Sequence, residues 1–215
     1  MIELLKKLST DLFESLHTMS EEANTQSGEG LGYYPIYRKQ QGKQKKSGEE
    51  YKNKEYEVSW HDRLKELLTN CGYRCVETEH DYPNSEKSCD LYFIADDQRV
   101  WLEVKAAWKY EISETGKIKP KNSNYESYLL GDIHKTHSTA QDIEKLSVLD
   151  NNNADYIGLL IIGFDIRNDP IDPDMKLLIE RMKLKEKGWQ IFSSKQWPDR
   201  NHPRCLNCWF LGKKV

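Results

Sequence analysis

An aspartate at position 90 and, further on, Glu103 and Lys105 inside the apolar segment VWLEVKAAW are the residues of this chain whose types and spacing suit chemistry. In an extended strand, residues two apart project from the same face, so Glu103 and Lys105 point one way and Val100, Leu102 and Val104 the other. One face is core and the other is a candidate site. Two carboxylates with an amine beside them suit Mg²⁺-assisted phosphodiester hydrolysis. Mg²⁺ takes oxygen ligands and keeps several waters, so two carboxylates and a substrate phosphate are enough to hold it. The ion neutralises charge developing on the phosphate and activates water. A neighbouring lysine can orient that water, take its proton or stabilise the transition state. The bland alternative is a solvated strand face.

The elements that must position these residues can be read from periodicity. Ile2, Leu5, Leu8, Leu12 and Leu16 recur at helical spacing and predict an amphipathic N-terminal helix. From about residue 20 to 54 the chain is polar and glycine-punctuated, and RKQQGKQKKSG has five basic residues and no acid, which predicts a basic arm. Trp60, Leu64, Leu67, Leu68 and Cys71 predict a second helix over 57–71, ended by Gly72. Strands are expected at 73–80, 89–95 and 100–108, the last two separated by the tight reversal DDQR. A polar excursion over 109–129 leads to a helix at 133–149. The near-continuous apolar run at 155–165 then predicts a strand buried on both faces. Asp172 as N-cap, Pro173 at the first helical position and Gly188 at the end predict a helix over 173–187. One or two short strands are expected after it. The order is helix, three strands, helix, strand, helix, strands: mixed α/β.

On Asp90, Glu103, Lys105 and this element order, residues 57–165 resemble the PD-(D/E)xK nuclease superfamily. That family places an acid at the start of the second core strand and Glu-x-Lys on the third. The resemblance implies a restriction-endonuclease-like mixed central sheet flanked by helices, here residues 55–215, preceded by an N-terminal helix and polar arm over 1–54. It implies that Asp90 and Glu103 bind Mg²⁺, with Mn²⁺ able to substitute, and that Lys105 acts on the water. Cleavage would leave 5′-phosphate and 3′-hydroxyl ends. Cys89 stands where the family's proline usually falls. A second Glu-x-Lys, Glu50 to Lys52, lies in the polar arm without a hydrophobic strand around it and is read as coincidence. Many members carry a further acid on the helix before the first strand, for which Glu57 is the candidate and His61, one turn later, the second. A helix-start glutamate favoured by the helix dipole explains Glu57 equally well.

Residues suited to phosphate contact are Gln141 and Lys145, four apart on one helix face, Lys109, Lys117 and Lys119 in the excursion, and Arg38 and Lys39 in the arm. A net charge of −3 means that nucleic-acid binding has to come from such local patches. Cys205, Cys208 and His202, or Cys71 and Cys75, are a thin case for zinc. No phosphate-cradling Gly-x-x-x-x-Gly-Lys loop or Gly-x-Ser-x-Gly elbow occurs, which excludes the corresponding nucleotide-triphosphate motors and serine hydrolases. Five cysteines without a secretory signal pattern suggest reduced thiols and a cytoplasmic protein, and no apolar run approaches the ~18 residues of a membrane span. The expected activity is that of a Mg²⁺-dependent DNA endonuclease of the restriction or defence type. The expected target is double-stranded DNA, cut by a homodimer with the N-terminal helix as a possible contact. The alternatives are a non-catalytic nucleic-acid-binding or assembly module on the same fold, and an RNA-directed nuclease.

Overall fold

Two strands carry the middle of the molecule, and both follow from their residue patterns. Residues 98–108 alternate between two packed faces, whereas ten of the eleven residues of 156–166 are buried. The computed structural model describes residues 2–27, 54–83, 85–112, 118–120, 125–131, 134, 137–166, 168–196 and 204–215, without the side chains of 23–27, 54–60, 111–119, 196 and 204–206. Its elements are α1 (Ile2–Ser27), α2 (Lys54–Asn70), β1 (Arg74–Asp81), β2 (Ser88–Ala95), β3 (Gln98–Trp108), β4 (Tyr110–Ile112) and β5 (Ile118–Pro120). They continue with α3 (Tyr125–Leu129), α4 (Thr139–Ser147), β6 (Tyr156–Ile166), α5 (Asp172–Arg181), β7 (Gln190–Gln196) and β8 (Arg204–Lys214).

Six strands form one mixed sheet in the order β1-β2-β3-β6-β8-β7, with β4 and β5 pairing separately. β1, β2 and β3 are consecutive antiparallel neighbours, β3 and β6 run parallel, and β8 is antiparallel to both β6 and β7. A parallel pair needs a crossover, and residues 109–155 supply it, carrying α3 and α4 across the face that bears Glu103 and Lys105. The excursion expected to be irregular thus holds the small β4–β5 hairpin and the short helix α3.

Apolar residues divide between the two faces of the sheet. Leu64 and Leu68 of α2 and Leu5, Leu8, Leu12, Leu16 and Met19 of α1 pack with Val100, Leu102, Leu160, Ile162 and Phe210. On the other face, Ile143 and Leu146 of α4 and Met175, Leu178 and Ile179 of α5 pack with Trp101, Ile157, Leu159 and Ile161. The leucine stripe of α1 is therefore spent on the chain's own sheet. The close approach of α1 depends on Gly212, where a Cβ would lie 2.7 Å from Leu5 Cδ2 and 2.9 Å from Phe210 Cζ. Gly158 stands opposite it in the β6–β8 register, where a Cβ would lie 2.7 Å from Phe210 Cε2.

Four expectations are corrected. α4 begins at Thr139, after the N-cap Ser138, because His137 has a left-handed φ of 62° that breaks the helix before it. Asp172 is the first residue of α5, not its cap; its carboxylate instead accepts from Asn207 Nδ2 at 3.1 Å and pairs with Lys195 at 2.6 Å. That helix stops at Arg181, and Gly188, with φ 82°, closes a run of turns beyond it. Cys71, expected on the apolar face of the second helix, is exposed, as is Cys75.

Candidate active site

Asp90 reaches Glu103 because β2 and β3 part company beside it. The ladder between these strands begins at the Leu91–Leu102 pair, and beyond it the Asp90 carboxylate takes the place of a backbone acceptor: its Oδ2 accepts from the Val104 N–H at 2.6 Å. Cys89 completes the junction, its buried thiol lying 3.1 Å from the Leu91 carbonyl and 3.2 Å from that of Leu102. Cys89 thus engages carbonyls of both strands where they separate.

Glu103 is 2% exposed. Its Oε1 accepts from the Tyr82 hydroxyl at 2.7 Å and from Lys145 Nζ at 3.2 Å. Tyr82 is held flat against Trp101, with ring centroids 5.2 Å apart and planes inclined by 19°. Burial, then repulsion from Asp90 and Asp142, pushes Glu103 up to about 8. Burial likewise pushes Asp90 up to about 6, against the bond from Val104 and a hydrogen bond with Glu103. Both carboxyls are thus held towards their protonated forms, Glu103 the more strongly.

Lys105 sits two residues along the same face, 5% exposed. Three groups fix its ammonium: Asp142 Oδ2 at 2.6 Å, the His137 carbonyl at 3.0 Å, and the Tyr128 ring with its centroid at 4.3 Å. The strained backbone of His137 aims that carbonyl, and Gln141 stabilises the turn by accepting from the His137 N–H at 3.0 Å. Ser138 Oγ in turn accepts from the Gln141 N–H at 3.3 Å, a capping-box arrangement shifted by one residue. Lys145 contacts Asp142 Oδ1 at 3.0 Å in addition to Glu103. Although burial works against its charge, those two acids hold Lys145 above the ordinary amine range.

The charges close on themselves. Three carboxyls (Asp90, Glu103, Asp142) face two ammonium groups (Lys105, Lys145), an excess of one negative charge that a single proton on Asp90 or Glu103 would neutralise. Replacing the proton by a divalent cation would leave the cluster with one positive charge facing a phosphodiester. Two carboxyls that repel each other, Glu103 buried and Asp90 half-buried, are a donor set that fits a hard divalent ion. Among the described residues no group of three or more His, Cys, Asp or Glu side chains is arranged to hold a metal ion, so a cation here would take water or substrate oxygens for its remaining positions.

Of the residues singled out from sequence, the fold brings together Asp90, Glu103, Lys105 and Lys145, with Gln141 beside them. Lys109 is engaged elsewhere, at the end of β3, by Asp169 Oδ1 at 2.7 Å, Asp174 Oδ2 at 2.9 Å and the Pro170 carbonyl at 3.2 Å. The side chains of Glu57 and Lys119 lie outside the described residues, as do Lys117, Arg38 and Lys39. α2 itself buries Leu64 and Leu68 on the face of the sheet opposite Glu103, and His61 is buried. Three site residues were not anticipated, Tyr82, Tyr128 and Asp142. Asp142 carried a readable signal: it precedes Lys145 by three positions, so it shares a helix face with a residue already assigned to the site.

A second buried polar network secures the far end of β6. Asp165 Oδ2 accepts from the Ile171 N–H at 2.6 Å and from Asn207 Nδ2 at 3.3 Å, while burial pushes the carboxyl up to about 6. Tyr110 and Tyr125 donate to Asp169 and Asp174 at 2.6 and 2.8 Å, tying the loop before α5 and the first turn of α5 to the crossover. Among the described residues, Asp165 Oδ1 and Asn207 Oδ1 are buried there without a hydrogen-bond partner. No helix of the described residues is long and apolar enough to cross a membrane. No protein-family model, curated protein or solved structure matches the chain.

Proposed function

We propose that this chain is a Mg²⁺-dependent deoxyribonuclease with a restriction-endonuclease-like fold, acting as an endonuclease of the restriction or defence type. One observation carries the reading: half-buried Asp90 and buried Glu103, on neighbouring strands that separate beside them, stand next to an ordered lysine on the same face. A binding module gains nothing from burying paired acids where a polyanion must approach.

Asp90 and Glu103 would hold the cation, Mn²⁺ substituting for Mg²⁺. When bound, it would supply Lewis-acid stabilisation of the charge that develops on the scissile phosphate. Lys105 directs its ammonium from a fixed seat, so little reorganisation is needed when a water and a phosphate oxygen come within its reach. Asp142 and the His137 carbonyl keep that seat. Tyr82 fixes the rotamer of Glu103 through its hydroxyl, leaving Glu103 Oε2 for a proton or a cation.

The test is incubation of the purified chain with supercoiled plasmid, linear duplex, single-stranded DNA and a matched RNA, in Mg²⁺ and in EDTA. The expected outcome is Mg²⁺-dependent cleavage of DNA leaving 5′-phosphate ends, with discrete fragments if cutting is sequence-specific and a smear if it is not. Cleavage of RNA alone would redirect the substrate assignment. DNA retained in a mobility shift but intact in every metal would instead favour a non-catalytic module.

A further inference from the structure

The two lysines of the acid cluster differ in their freedom. The Lys105 side chain is 6% exposed and is held by a carboxylate, a carbonyl and an aromatic ring. The Lys145 side chain is 24% exposed, and its ammonium bridges Glu103 Oε1 at 3.2 Å and Asp142 Oδ1 at 3.0 Å. It thus occupies the kind of place a cation takes, between two buried acids, while retaining a route to solvent.

We propose that Lys145 is a built-in counter-ion of the acid cluster: it competes with the divalent cation for Glu103 and is drawn off by the phosphate of an arriving substrate, so that metal and nucleic acid favour each other's binding. This rests on the metal-dependent nuclease reading of Asp90 and Glu103. Three features of the geometry carry it. The ammonium contacts Glu103 directly, so a cation bound at that carboxylate meets a like charge close by. Lysine is a point charge on a flexible four-carbon stem, able to move from carboxylate to phosphate without displacement of α4. Its departure strands neither acid, because Asp142 keeps Lys105 at 2.6 Å and Glu103 keeps the Tyr82 hydroxyl at 2.7 Å. Asp142 is then a positioning residue for both lysines. If substrate removes Lys145 from Glu103 and so strengthens metal binding, metal strengthens substrate binding by the same factor.

The test titrates Mn²⁺ into the full chain by calorimetry, alone and with a hydrolysis-resistant phosphorothioate DNA duplex, for wild type, Lys145→Gln, Lys145→Met and Lys145→Arg. Without DNA, the two neutral variants are expected to bind Mn²⁺ about 10-fold tighter than wild type, within the usual range of coupling between sites. Duplex should raise Mn²⁺ affinity in wild type and Lys145→Arg, and raise it less in the neutral variants. Thermal melts of the same samples report folding and binding together, and a larger Mn²⁺-induced rise in Tm for either neutral variant than for wild type supports the proposal. Equal or weaker Mn²⁺ binding by Lys145→Gln and Lys145→Met would overturn the role of Lys145 and leave the nuclease reading standing. Failure of wild type and neutral variants alike to bind Mn²⁺ would overturn both.

Discussion

Glu103→Gln should lose Mg²⁺-dependent cleavage and gain stability. Losing one preorganised charge-stabilising group costs roughly 10²- to 10³-fold in rate, and the amide cannot serve as a carboxylate ligand. The stability change has the opposite sign. The folded state holds a proton on Glu103 up to about 8, whereas the ordinary value is 4.5, so the native chain binds more protons than the unfolded chain throughout that window. Stability therefore falls as pH rises from 4.5 towards 8, at up to about 1.4 kcal/mol per pH unit for a single proton. Glutamine keeps the shape and never ionises. In thermal melts without divalent metal, Glu103→Gln should match wild type near the lower end of this window and melt higher at its upper end. A variant less stable than wild type at the upper end would contradict the electrostatics of the site. Exchange of activity for stability at one position is the signature of a residue kept for chemistry.

Metal affinity should depend steeply on pH, for the same reason. A divalent ion must displace the proton that Glu103, raised to about 8, holds beside Asp90, raised to about 6. Displacing one proton makes the apparent affinity rise about 10-fold per pH unit. That slope should hold between those two values and flatten above the higher one. At subsaturating Mg²⁺ the cleavage rate should follow. The check is the Mg²⁺ concentration that gives half-maximal cleavage, measured at several pH values across this interval. A requirement that stays constant across it would mean that the carboxyls hold no proton there, or do not hold the metal.

The parts of this site that were legible in the sequence are those in which one strand presents its own chemistry. Glu103 and Lys105 follow from period-two alternation on β3, and the burial of β6 from its unbroken apolar run. Asp90 needed the adjacent hairpin as well, since its carboxylate matters only because the strands separate at Leu91 and Leu102. Residues that gain their role through the crossover were harder to see. Asp142 looks like an acid in the first turn of a helix until α4 lies against β3 and Lys105 meets it. Tyr82, within a turn-forming segment, acquires a purpose only by stacking on Trp101 and donating to Glu103. Lys109 shows the converse: its type and place in the excursion suit phosphate contact, but Asp169 in the loop before α5 and Asp174 in the first turn of α5 take up its charge. Asp172, a convincing cap by its position before Pro173, is likewise claimed by Asn207 and Lys195 from strands distant in sequence. Local pattern identifies which groups can do chemistry, and long-range packing decides which of them are left to do it.

The position of a bound divalent ion decides whether Asp90 and Glu103 form a metal site. Crystals of the wild-type chain grown or soaked in Mn²⁺, with diffraction recorded at a wavelength where manganese scatters anomalously, locate the ion without reference to any substrate. The predicted result is an anomalous peak between the Asp90 and Glu103 carboxylates that is lost in Asp90→Asn. No peak there at saturating Mn²⁺ above the pH at which Glu103 ionises, or a peak that survives in Asp90→Asn, would contradict it.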